Sequence, residues 1–235
     1  MTANVEDSLV GLEPEVDAFI RELLDRAAAI RLPELFQARH PDALYWVGDR
    51  HGVSTVALRT PSLTEDQLVA IMTFRLAQYL MAHQLDPRLI YEKQLAYEPL
   101  ENVSERDVHV MAGDAATGEV LTYGTFKVLT EAGQTATMRS EHRQLFPVEE
   151  VFGRGVFERL RILPDLPVHR VSEAGRLMKN HAHPGVDPLI MRAPVEVLLA
   201  AFRLVVGELH GEIEACVGDM ELGVAKKSQD FFHLP

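Results

Sequence analysis

His169-Arg170-Val171-Ser172-Glu173-Ala174-Gly175-Arg176-Leu177-Met178 reads as a β-strand, yet it places a carboxylate, a glycine and a guanidinium within four positions. A strand in the middle of a sheet covered on both faces is normally a near-continuous apolar run. Downstream come a Pro/His/Gly loop holding Pro184, Gly185 and Pro188, then the most amphipathic stretch of the chain, then Glu212-Ile213-Glu214-Ala215-Cys216-Val217. Pro194 stands at a natural first helical position. Val195, Leu198, Leu199, Phe202, Val205, Val206 and Leu209 follow on one helical face, with Gly211 as the stop. Strand, loop, helix, strand is the order of a sheet with at least one crossover connection.

Upstream, Pro164 and Pro167 force an extended approach to this strand. Val148 to Leu163 is predicted helical, with Phe152, Val156, Phe157 and Leu160 inward, and 131–141 is a polar loop. Asp107 to Ala112 and Glu119 to Leu129 are expected to form an antiparallel pair around the turn 113–118. Thr64-Glu65-Asp66-Gln67 fits a capping box for a helix running to about His83, and a short helix is expected near Pro87 to Leu95. Residues 1–63 hold a helix from Pro14 to Ile30, stopped by Pro33, and a hairpin of 44–47 with 53–58. A weak helix is expected over Met220 to Phe232. These elements predict an α/β (α+β) chain: an N-terminal helix-plus-hairpin extension over 1–63, then one domain over 64–235 with a mixed central sheet flanked by helices.

The 235 residues carry a formal charge of -12, which argues against a nucleic-acid partner but leaves room for a local basic patch. Cys216 is the single cysteine, so no internal disulfide forms, and its apolar neighbours suggest a small buried side chain. The opening Met-Thr-Ala-Asn-Val-Glu-Asp has neither a basic nor an apolar leader region. No apolar run approaches the ~18 residues of a membrane span. The expectation is a cytoplasmic protein without a membrane span.

Five groupings carry possible chemistry. On a regular strand Glu173 and Arg176 point to opposite faces; a bulge permitted by Gly175 would re-aim one of them and open a cleft. A buried glutamate with a raised pKa can then serve as a general base. The competing reading is a structural ion pair. Glu105, Asp107 and His109 alternate on one face of a strand start, suited to an amine or to a solvated edge. Arg75 and Tyr79 share a helix face, where a buried arginine can clamp a carboxylate. His181, His183 and Asp187 invite a metal, but the further ligands a zinc site needs are missing, so none is expected. The loop 179–194, with Lys179 and Arg192, leads to a helix N-terminus able to receive phosphate, although no Walker motif or G-x-G-x-x-G is present. Ser172 lacks a nucleophile elbow, and Cys216 lacks an identifiable histidine partner.

From Thr64 onward the order of elements resembles the GNAT acyltransferases. It is most similar to the acyl-homoserine-lactone synthases and the related N-acyl amino acid synthases. Arg75 and Tyr79 match the family's Arg-x-x-x-Phe/Tyr pair, and Glu105 and Asp107 its acidic cluster. Gly124-Thr125-Phe126-Lys127-Val128-Leu129 stands for its Gly…Arg-Leu segment, with Lys127 in place of arginine. Glu173-Ala174-Gly175-Arg176 stands for its Glu-x-Ser-Arg. Leu85 lies where the lactone synthases carry a tryptophan, and the family adds strands beyond those found here.

The resemblance implies an N-acyltransferase that moves an acyl group from an acyl-CoA or acyl-carrier-protein thioester to the amine of a small molecule, an amino acid among the candidates. It makes Glu173 the base and Arg176 its structural or orienting partner. Arg75, Tyr79, Glu105, Asp107, His109 and Lys127 become substrate contacts. Gly175, Lys179 and Arg192 become donor contacts. A carrier protein, being acidic, would need a basic patch such as Arg154, Arg159 and Arg161, whereas coenzyme A would need only the loop and Arg192. The alternative is a non-catalytic module that binds an acyl thioester or small ligand; a metal enzyme using His181 and His183 is a third reading. A sheet with one edge open also leaves room for a homo-oligomer.

Overall fold

The computed structural model describes residues 11–129, 136–159, 165–183 and 187–217. Its centre is a six-stranded mixed sheet in sequential order: β1 (Tyr45–Arg50), β2 (Val53–Arg59), β3 (Val108–Asp114), β4 (Val120–Val128), β5 (Val171–Lys179) and β6 (Ala215–Val217). The first four pairings are antiparallel, and β5 with β6 is parallel. The helices are α1 (Pro14–Ala28), α2 (Pro33–Phe36), α3 (Glu65–Met81), α4 (Pro87–Glu92), α5 (Pro147–Phe152), α6 (Val156–Arg159) and α7 (Pro188–Val206). The hairpin of the N-terminal section supplies two strands of this sheet. The expected helix over 220–232 lies outside the described residues.

Side chains alternate between two buried faces. Val108, Val110 and Ala112 of β3 face α7, where they meet Ala193, Val197, Ala200 and Leu204. Met111 faces the opposite way, towards Ile71, Met72 and Phe74 of α3 and Phe36 of α2. α1 then packs Val16, Ile20 and Leu23 on Leu76 and Leu80, forming an outer layer. α3 starts with the expected capping box: Thr64 Oγ1 accepts from the Gln67 amide, and Gln67 Oε1 accepts from the Thr64 amide. Among the described residues no helix is long and apolar enough to cross a membrane.

Four expectations change. Pro33 opens the short helix α2 after ending α1. The predicted helix from Val148 is two short pieces, α5 and α6, parted by Gly153 at φ +79. α7 starts at Pro188 rather than Pro194, because the Asp187 carboxylate caps the Leu189 amide and Pro188 is preset for the first turn. Pro194 therefore lies inside the helix, which ends at Val206, before Gly211. Its buried face is Ile190, Ala193, Val197, Ala200 and Leu204, whereas Val195, Phe202 and Val206 of the expected face are exposed. Cys216 is exposed on β6, not buried.

Gly118 ties the β3–β4 turn to the start of α2. It sits at φ +76, and its carbonyl accepts the Leu32 amide at 2.8 Å. A Cβ there would stand 2.5 Å from the Pro33 nitrogen. Gly118→Ala combines left-handed strain with a backbone clash, and is expected to lower unfolding stability by about 3 kcal/mol in urea titration.

Candidate active site

β4 and β5 pair Thr125 with Gly175, then Tyr123 with Met178. Arg176 and Leu177 therefore oppose the single residue Gly124, which is a β-bulge. The left-handed residue is Arg176 itself, at φ +56, whereas Gly175 has no positive φ. The bulge thus falls one residue later than expected and does not use the freedom of Gly175. It shifts the strand's alternation by one, so Glu173 and Arg176 both line the same cavity. Leu177 turns the other way, towards Gly124, where a Cβ would lie 3.8 Å from Leu177 Cδ1.

The cavity has a volume of about 930 Å³ and wraps the edge of β5. Among the described residues β6 pairs only with Val171–Glu173, so from Gly175 onward this edge has no strand partner. The α3 side is polar, with Gln78, Tyr79, Lys127, Glu173, Arg176 and His181. The α7 side is apolar, with Val110, Gly124, Phe126, Leu177, Val197 and Ala201.

Glu173 is 5% exposed and stands opposite Lys127 in the ladder. Its Oε2 accepts the Val148 amide at 3.2 Å, and its Oε1 lies 3.8 Å from where a Gly175 Cβ would be. Lys127 Nζ donates to the Asn102 carbonyl at 2.8 Å.

Behind the cavity wall runs a buried polar chain. Arg75 Nη2 and Arg176 Nη1 both donate to Glu98 Oε1, each at 2.7 Å. Arg176 Nη1 also reaches Tyr79 Oη at 3.0 Å. Burial opposes the Arg176 charge, but Tyr79 and Glu98 outweigh it, so the pKa is raised and the group stays cationic. Arg75 lies 5.2 Å over the Tyr123 ring and donates to its hydroxyl at 3.4 Å. Tyr123 Oη meets His109 Nδ1 at 2.8 Å, and His109 Nε2 meets Thr60 Oγ1 at 3.0 Å. Thr60 spends its proton on the Ser104 carbonyl at 2.6 Å. His109 must then carry its proton on Nε2 and accept from Tyr123 on Nδ1. Burial first, and the charge of Arg75 second, lower its pKa to about 3, so it is neutral.

The structure brings Glu173, Arg176, Tyr79, Lys127, Gly175 and Lys179 together on the cavity. Arg75 stands behind them through Glu98. The acidic alternation does not form, because β3 starts at Val108. Glu105 is exposed in the preceding turn. Asp107 accepts the Ser104 and Val128 amides, and its pKa is raised because burial outweighs these bonds. His109 serves the buried chain and does not line the cavity. Arg192 lies on α7, pairs with Glu196 at 3.2 Å and does not line the cavity. Starting the helix at Pro188 removes Arg192 from the loop that was to receive phosphate. His183 pairs with Glu119 at 2.9 Å, and no group of three or more metal-type side chains gathers among the described residues. Arg154 and Arg159 donate to local carbonyls, and Arg161 lies outside the described residues.

Glu98 was missed by the sequence reading. It lies in an irregular segment with no periodicity, and its partners are 23 and 78 positions away. Glu98→Gln leaves two arginines on a neutral acceptor, and is expected to cost about 3 kcal/mol of unfolding free energy. A second outcome concerns pH. A folded pKa below the ordinary 6.5 means that the unfolded chain binds the His109 proton first. The stabilisation is complete above about 6.5 and is lost towards pH 3, at about 1.4 kcal/mol per pH unit. Urea titrations between pH 7 and 5 should show this slope, and His109→Gln should flatten it. Comparison with protein-family models, curated proteins and solved structures finds no match to this chain.

Proposed function

We propose that the protein is a GNAT-like N-acyltransferase that moves an acyl group from a coenzyme A or carrier-protein thioester to the amine of a small molecule. One observation carries the reading: the cavity at the β5 bulge has an apolar side against α7 and a polar side against α3, with Glu173 on the polar side. An acyl chain fits the first and an amine acceptor the second. Between them the edge of β5 beyond Glu173, which has no strand partner among the described residues, offers backbone N–H groups to the thioester carbonyl.

In this mechanism the acceptor nitrogen attacks the thioester carbon. The N–C bond forms, the C–S bond breaks and the thiolate leaves. Glu173 takes the proton from nitrogen and releases it to the thiolate sulfur, directly or through water. Lys127, opposite Glu173 in the ladder, also lines the cavity and can meet an anionic part of a substrate. Arg176 has Nη1 committed to Glu98 and Tyr79, which leaves its Nε and Nη2 edge for an anionic group on the acceptor, such as the carboxylate of an amino acid. Lys179 remains the donor-side cation on the cavity. Glu105, Asp107, His109 and Arg192 have no part in these steps.

Incubation with octanoyl-CoA and a pool of amino acids, read by mass spectrometry, should yield an N-octanoyl product. Glu173→Gln should lower turnover roughly 10²-fold with an unchanged circular dichroism spectrum. Full activity in that variant removes Glu173 as the base. Thioester binding without any acylated amine favours the binding-module alternative.

A further inference from the structure

Arg143 and Glu149 form the most deeply buried ion pair among the described residues, with side chains 1% and 0% exposed. The pair is bidentate, with Arg143 Nη1 donating to Glu149 Oε2 at 2.6 Å and Nη2 to Oε1. The other contacts of the two groups among the described residues are local. Arg143 Nε donates to the Met138 carbonyl at 3.0 Å, and Nη1 to the Gln144 carbonyl at 2.9 Å. Glu149 Oε2 also accepts the Phe146 amide at 3.1 Å. The Arg143 guanidinium lies 5.9 Å over the Phe157 ring, which packs edge-on to Phe146.

Burying two charges gives a short surface element little net stability, since desolvation offsets most of the attraction. What the pair does provide is position. It pins Phe146 and the first turn of α5, a helix of six residues that is too short to hold its own geometry. Pro147 fills the first helical position, so Val148 carries the first backbone N–H of the helix, and the helix has no internal acceptor for it. That N–H reaches across to β5 and donates to Glu173 Oε2 at 3.2 Å.

We infer that Arg143 and Glu149 are positioning residues: they hold the Val148 amide on the Glu173 carboxylate and so set its proton affinity. A backbone N–H donated to a carboxylate favours the charged form and lowers its pKa. Burial of Glu173 acts in the opposite direction. The pair and Glu173 lie on separate elements and are linked through this amide. Neither Arg143 nor Glu149 lines the cavity, so neither touches a ligand there. The inference deepens the acyltransfer reading but can be measured without turnover.

The test is the titration of Glu173, read by carbon NMR of the side-chain carboxyl, with Glu173→Gln to assign the signal. Val148→Pro deletes this one donor in the first helical turn. Because it also strains Pro147 and removes a buried side chain beside the cavity, its circular dichroism spectrum is required to match wild type. Glu149→Gln and Arg143→Lys disturb the pair while keeping its size. All three are expected to raise the Glu173 midpoint, by about one pH unit for Val148→Pro. The acid limb of kcat/KM should move up by the same amount. A Glu173 midpoint that matches wild type in Val148→Pro overturns the inference. So does a shift in Val148→Pro with none in Glu149→Gln or Arg143→Lys, because the pair would then not govern the amide. Should Glu149→Gln unfold the segment, Arg143→Lys carries that arm. Shifted midpoints in a protein that acylates no amine keep the positioning device and remove the acyltransfer reading. Acylation with unmoved midpoints does the reverse.

Discussion

One carboxylate oxygen, Oε1 of Glu98, holds the helix α3 to the bulge of β5. It receives Arg75 from the helix and Arg176 from the strand. Three charged groups meet at one point, two positive and one negative, and water is largely excluded. Such a cluster persists only with fixed geometry, because each partner is costly to bury alone. The constraint reaches the backbone. Arg176 occupies a left-handed conformation that costs a non-glycine residue about 1–3 kcal/mol. Its side chain is the reason the conformation survives, since an arginine in regular strand geometry would point to the α7 side and lose both Glu98 and Tyr79.

The shape of the cavity follows from that bulge. With one extra residue on β5, the alternation shifts by one: Glu173 and Arg176 fall on the side of α3, and Leu177 on the side of α7. Among the described residues β6 follows β5 only as far as Glu173, and the strand has no partner on that edge where the cavity passes. Polar and apolar walls then meet along one backbone edge. That suits a reaction joining a hydrophobic chain to a polar acceptor at a single carbonyl, and it is the basis of the proposed acyltransfer. The buried pair of Arg143 and Glu149 adds a second support from the opposite side, through the Val148 amide.

Much of the architecture is legible in the sequence. The capping box at Thr64 and the hairpin turns carry short-range signals, and each lies within a few residues of what it specifies. The apolar spacing after Pro194 locates a helix but not its buried face, since Val195, Phe202 and Val206 are exposed and Ala193, Val197, Ala200 and Leu204 meet the sheet. The misjudged helix start shows how such signals compete. Pro188 and Pro194 both suit a first turn, but only Pro188 is preceded by an aspartate able to cap it. The predicted helix from Val148 is interrupted by Gly153 at positive φ, and of its expected inward residues Phe157 is buried while Phe152 is exposed. At the site, the order Glu173, Gly175, Arg176 announced a bulge, while its place one residue further on depends on the Glu98 contact. Glu98 itself has no local pattern. Only the fold brings it between residues far apart in the chain, as it does for His109, Tyr123 and Thr60.

The most direct measurement is a crystal structure of the protein with octanoyl-CoA in which a methylene replaces the thioester sulfur. The account predicts the acyl chain against Val110, Gly124 and Val197, with its carbonyl at the edge of β5 beside Glu173. A complex with the chain bound elsewhere, and the β5 cavity left to solvent, would contradict it.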